Sequence, residues 1–118
     1  MTNREFFEEY IAALSGKPKP PELLRHYISD PGLIEHIEQI EAAFPAYRLA
    51  LDRLVVEGEW LAIMATFEGT HRGEFAGVPA TGRTVALPLQ AFYRVENYRI
   101  AAFHMQADMA RLIAALTA

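Results

Sequence analysis

The chain has 118 residues, 52% hydrophobic and 22% charged, with 11 basic against 15 acidic side chains for a net charge of −4. One folded domain, residues 1–118, is expected, with an interior and room for one small pocket; the acidic balance leaves no footprint for nucleic acid or anionic lipid. Cysteine is absent, which excludes disulfide scaffolds, thiolate nucleophiles and cysteine-based zinc or iron–sulfur sites, and no apolar run approaches the roughly 20 residues that span a bilayer.

The amino terminus, Met1-Thr2-Asn3-Arg4-Glu5, lacks the apolar core of a signal peptide, so a cytoplasmic location is expected. Thr2 and Glu5 form a capping box, and Phe6, Phe7, Tyr10, Ile11 and Leu14 follow at helical spacing. Ser15-Gly16 stops that helix. Lys17-Pro18-Lys19-Pro20-Pro21 reads as a stiff connector, and a short helix spans Glu22 to Tyr27. Asp30 caps a further helix with Pro31 at its first position. Its apolar stripe is Leu33, Ile34, Ile37, Ile40 and Phe44, and Phe44-Pro45 ends it.

From Tyr47 the period changes to two. Arg48–Val56, Leu61–Glu68, Thr84–Val95 and Arg99–Gln106 read as strands. Tight turns at Glu57-Gly58-Glu59 and Glu96-Asn97-Tyr98 make neighbours antiparallel. An irregular stretch from Gly69 to Arg83 holds four glycines and one proline. Asp108 then caps a short amphipathic helix carrying Met109, Leu112, Ile113 and Leu116. Helices followed by a run of strands make an α+β fold. A curved sheet wrapped on helices leaves a cavity at its open end.

Of two further candidate sites, one fails on mechanism and the other is not demanded by its spacing. Gly77 to Thr84 imitates a phosphate loop, but Arg83 replaces the lysine and a strand follows. His71, His104 and Asp108 could supply metal ligands, yet nothing in their spacing demands it. His26 and His36 read as partly exposed helix residues, with no i, i+4 histidine pair.

The pair that suggests chemistry is His104 and Asp108. Their even spacing puts both on one strand face, shared with Gln106, if the strand continues to Asp108. Gln90 and Arg94 share a face on the preceding strand. Polar groups converging in a cavity are what proton transfer needs: a carboxylate takes a carbon-bound proton and donors stabilise the oxyanion. An apolar setting raises a carboxyl pKa toward neutrality, whereas helix capping lowers it. Phe92 and Trp60 are the aromatic candidates for holding a flat apolar ring.

Val56-Glu57-Gly58-Glu59-Trp60-Leu61-Ala62, and then the run from Gly69 to Arg83 (GTHRGEFAGVPATGR), resemble the SnoaL-like polyketide cyclase (ester cyclase) family. Phe44-Pro45 before the first strand fits as well. The resemblance implies a nuclear-transport-factor-2-like cone, in which N-terminal helices pack inside a curved antiparallel or mixed sheet and a short C-terminal helix follows. It also implies a homodimer built through the sheets, with no metal or organic cofactor. By position, Asp108 matches the family's acid/base aspartate, which drives an aldol ring closure, and His71 matches its loop histidine. Three features depart from the family pattern. Ala102 and His104 stand where a Glu-x-Trp pair is common, Ala46 replaces the aspartate after Phe-Pro, and Asn97-Tyr98 replaces an Asp-Gly turn. The expected function is therefore acid/base chemistry on an enolisable carbonyl compound, with Asp108 and His104 catalytic and His71, Gln90, Arg94, Gln106, Phe92 and Trp60 holding an apolar or aromatic small molecule. The alternative is a cavity or dimeric accessory domain without chemistry. A ketosteroid-isomerase-like or epoxide-hydrolase-like reaction in the same cone needs a second acid, and Asp52 is the one other strand aspartate.

Overall fold

The computed structural model describes residues 1–118. Three helices come first: α1 (Asn3–Leu14), α2 (Pro21–Tyr27) and α3 (Pro31–Ala43). Four strands follow, β1 (Arg48–Glu57), β2 (Trp60–Thr70), β3 (Thr84–Glu96) and β4 (Arg99–Ala107), and α4 (Met109–Thr117) closes the chain. The sheet is a four-stranded antiparallel meander in the order β1-β2-β3-β4, with one isolated parallel bridge from Ile28 to Ile100 at its edge.

The local signals act as expected. Thr2 and Glu5 make the reciprocal capping box of α1, which satisfies two N–H groups that a helix start otherwise leaves bare. Asp30 caps α3 through Gly32 N–H, 3.0 Å away. The β3–β4 hairpin turns on two residues at positive φ, Asn97 (51°) and Tyr98 (55°). Such a turn matches strand twist but strains a tyrosine. That strain is offset by ring contact with Phe6, at a centroid separation of 6.0 Å, and by a hydrogen bond from the Tyr98 hydroxyl to the Met1 carbonyl.

Alternation fixes which sheet face meets the helices. Along β3, Val85, Leu87, Leu89, Ala91, Tyr93 and Val95 are buried while Ala86, Pro88, Gln90 and Phe92 are exposed. On β2 the buried set is Leu61, Ile63, Ala65 and Phe67. Helix α1 presses Phe6, Phe7, Tyr10, Ile11 and Leu14 onto this inner face, with Phe7 5.0 Å from the Tyr93 ring. Each such fully buried side chain contributes about 1.5–3 kcal/mol of transfer free energy.

The irregular stretch from Gly69 to Arg83 docks on the end of α3. Arg72 and Gly73 N–H groups both donate to the Ala43 carbonyl, at 2.9 and 3.1 Å, so an orphan helix-end acceptor is satisfied. A Cβ on Gly73 would lie 2.3 Å from the Ala42 carbonyl oxygen, and one on Gly69 would lie 2.9 Å from Phe44 Cβ. Those two glycines are required for close approach rather than for flexibility.

Candidate functional site

A concave cavity of about 90 Å³ opens between α3, the inner sheet face and α4. One water needs roughly 10–15 Å³, so this space admits a small molecule. Its floor is Phe67, Leu87, Leu89 and Tyr93, and Leu33, His36, Ile37 and Ile40 of α3 face it. Phe103, Met105 and Ala107 of β4 and Met109 and Leu112 of α4 complete the wall, with Tyr10 and Tyr47 at the far side. Of 17 lining residues, 16 are hydrophobic or tyrosine, and His36 is the exception.

The polar groups of this space are three phenols and one imidazole. Burial pushes the hydroxyls of Tyr10, Tyr47 and Tyr93 well above the usual phenol range, and the mutual repulsion their anions would feel adds to it for Tyr10 and Tyr47. All three therefore stay protonated, and they serve as donors. No hydrogen bond within the protein engages any of the three hydroxyls, and none is among the fully enclosed unpaired atoms. Burial lowers the pKa of His36 below its ordinary 6.5, which leaves the ring neutral at pH 7. Its ring leans on Phe103 at a centroid separation of 5.7 Å.

Tyr47 is fixed by a residue that sequence reasoning assigned to a mere connector. The Lys19 ammonium lies 4.0 Å from the Tyr47 ring centroid and donates to Glu41 Oε1 (2.9 Å) and to the carbonyls of Lys17 (2.9 Å) and Tyr47 (3.1 Å). Burial lowers the Lys19 pKa, and the bond to Glu41 works against that. A buried ammonium persists only with such partners. The signal available in the sequence was a lysine inside a proline-rich turn, with no hint that Glu41 would meet it.

The residues singled out from the sequence lie outside this cavity. Strand β4 ends at Ala107, and Asp108 is exposed, its Oδ1 accepting the Arg111 N–H at 2.9 Å. Asp108, Gln90 and Gln106 do come together, with Asp52 and Met64, but in an open groove on the outer sheet face. There Asp52 accepts from the Thr66 hydroxyl at 3.0 Å. His104, also outward, stacks on Trp60 with centroids 6.4 Å apart and pairs in register with Phe92. Arg94 meets Glu96 at 3.1 Å and Glu59 at 3.9 Å. Phe103, Met105 and Ala107 occupy the inner face of β4, so His104 and Gln106 turn away from it.

His71 does not line the cavity. It is fully buried, its ring tilted against Phe44 with centroids 5.4 Å apart. Its Nδ1 accepts the Thr81 N–H at 3.2 Å and bonds the Thr81 hydroxyl at 3.0 Å, which puts its proton on Nε2, the one buried side-chain nitrogen without a partner. With His71 N–H to Arg83 O and Gly82 N–H to His71 O, both 2.8 Å, this ring closes the loop. No group of three histidine, aspartate or glutamate side chains gathers as a metal shell, so His71, His104 and Asp108 do not assemble. No helix is long and apolar enough to cross a membrane.

A family model described as SnoaL-like polyketide cyclase matches residues 3–116. Among solved structures, IdmH of Streptomyces antibioticus aligns over all of both chains at 21% identity and a TM-score of 0.80. A SnoaL-like polyketide cyclase from Agrobacterium tumefaciens aligns over 98% of both chains at 20% identity and a TM-score of 0.79. TsrD of Streptomyces laurentii aligns at 25% identity and a TM-score of 0.78, over 96% of this chain and 92% of its own. Among curated proteins none matches.

Proposed function

The chain belongs to the SnoaL-like polyketide cyclase family, and from that premise we propose that it is a small-molecule acid/base enzyme that cyclises by aldol addition, or isomerises, an enolisable carbonyl compound in the inner cavity. The observation that supports this most is the set of protonated, unpaired phenols of Tyr10, Tyr47 and Tyr93 in an otherwise apolar hollow. A flat apolar ring gains its affinity from the aliphatic and aromatic walls. Its carbonyl oxygen finds ready donors, whose hydrogen bonds strengthen as enolate charge develops. In so apolar a site these donors need little reorganisation at the moment of reaction.

Binding without chemistry is the second reading, favoured by the absence of any carboxylate from the cavity wall. The two readings part on one experiment. β-Tetralone, an aromatic ketone with an acidic benzylic α-proton, is incubated with the protein in heavy water and exchange is followed by proton NMR. The enzyme reading expects saturable exchange above the buffer rate, blocked by β-naphthol, its aromatic enol mimic. Binding of β-naphthol with no exchange supports the second reading, and no binding overturns both.

The outer sheet face carries exposed Trp60, Met64 and Phe92, a surface suited to pairing with a second copy. A sheet-to-sheet homodimer accounts for it, and sedimentation equilibrium of wild type against Phe92→Glu tests that. A cytoplasmic address fits the cysteine-free, mildly acidic sequence and is checked by cell fractionation.

A further inference from the structure

We propose that His36 is the group that takes the proton from the carbonyl compound, a role that rests on the cavity reading above. Its position comes first. Residues 33, 36, 37 and 40 form one face of α3, and all four line the cavity. The face is aliphatic apart from this imidazole, and packing of Leu33 and Ile37, each 3% exposed, locks its orientation toward the sheet.

Second, the ring is uncommitted. No hydrogen bond within the protein engages either of its nitrogens, and neither is among the fully enclosed unpaired atoms, of which His71 Nε2 is the single case. A neutral imidazole presents one lone pair and one N–H, so a lone pair is left for a guest. A structural histidine would have spent it, as His71 has on Thr81.

Third, the surroundings favour the free base. The Phe103 ring lies against His36, and the other cavity-lining residues of the neighbouring elements are Tyr10, Tyr47, Tyr93, Met105, Met109 and Leu112. None is charged at neutral pH. Burial lowers its pKa from the ordinary 6.5, so the free base is the form present at neutral pH. Asp108 lacks the placement and the freedom, being exposed, on the opposite face and engaged with Arg111 N–H.

The step balances without a further reactant. The imidazole lone pair takes the α-proton as the C–H bond breaks, and the C–H electrons move onto the carbonyl oxygen, where a tyrosine hydroxyl donates. The enolate carbon then adds to a second carbonyl of the same molecule, forming the C–C bond. The new alkoxide takes the proton back from the imidazolium, which restores His36. With no second carbonyl, return of the proton to a different carbon gives isomerisation.

The test uses β-tetralone exchange and β-naphthol binding on the full chain. His36→Gln and His36→Phe, the latter keeping a ring against Phe103, are each expected to lower exchange by about 10²–10⁴-fold and to leave β-naphthol affinity within about threefold. Wild-type exchange is expected to fall below a midpoint that coincides with the His36 imidazole titration, read from its ring carbon shifts. Full exchange in both His36 variants overturns the assignment, as does loss of exchange in Asp108→Asn with β-naphthol binding intact. Failure of wild type to bind β-naphthol overturns the cavity reading itself, and binding without exchange overturns the base assignment while sparing the cavity.

Discussion

Replacing Tyr93 by Phe separates a functional hydroxyl from a structural one. The Tyr93 ring is 4% exposed and packs on Phe7, so the substitution keeps the core intact. The hydroxyl it removes has no partner within the protein and is not fully enclosed, and Tyr93 lines the cavity. Loss of a hydrogen bond to a neutral carbonyl costs about 0.5–1.5 kcal/mol and to an anionic oxygen about 1.5–3 kcal/mol. These correspond to roughly 2–12-fold weaker binding of β-tetralone and roughly 12–150-fold weaker binding of dinitrophenolate, an enolate-like ring anion. Folding should not suffer, because a hydroxyl that makes no hydrogen bond within the protein contributes no such bond to the native state. Titration calorimetry with both ligands, beside calorimetric melting, reads the two effects at once. The melting temperature is expected to stay level or to rise by up to about 4 °C. A fall of that size with unchanged affinity for both ligands refutes the reasoning and makes the hydroxyl a structural one.

Asp108→Ala should destabilise by about 0.5–2 kcal/mol through loss of the α4 cap, while Asp108→Asn should restore most of that in urea unfolding. Gly73→Ala drives a Cβ to 2.3 Å from the Ala42 carbonyl oxygen and should cost at least about 1–3 kcal/mol. Its effect on β-naphthol affinity should be small, since the loop lies outside the cavity wall. For His36, the folded-state pKa lies below the 6.5 of the unfolded chain. The unfolded state therefore binds the proton first, and stability holds above about pH 6.5 and declines as pH falls through the window beneath it. His36→Phe should flatten that part of a urea-midpoint profile between pH 7 and 5, and an unchanged slope refutes it.

Much of the architecture was legible because its signals are local. Thr2, Asp30 and Asp108 are caps in the structure as their side chains require, and period-two alternation found every strand to within two residues of its end. The site was less legible because it depends on which strand face turns inward. His104, Gln106 and Asp108 share a face by spacing alone, but spacing cannot say whether that face meets helices or solvent. The apolar weight of Phe103 and Met105 was the available clue. His36 reads from the sequence as a partly exposed helix residue with no histidine partner at i, i+4, and it is half-buried, but its register with Leu33 and Ile40 puts it on the cavity side. The GTHRG run identified the family through residues that serve the loop: Gly69 and Gly73 for contact, His71 for closure. A sequence signature that reports packing says little about where substrate goes.

The direct test of a catalytic hollow on the helix side of the sheet is the nuclear Overhauser contacts of bound β-naphthol. Ring protons of the ligand should contact the methyl groups of Ile37, Leu89 and Met105. Contacts confined to Met64 and Ala86 would seat the ligand on the outer face and contradict the account.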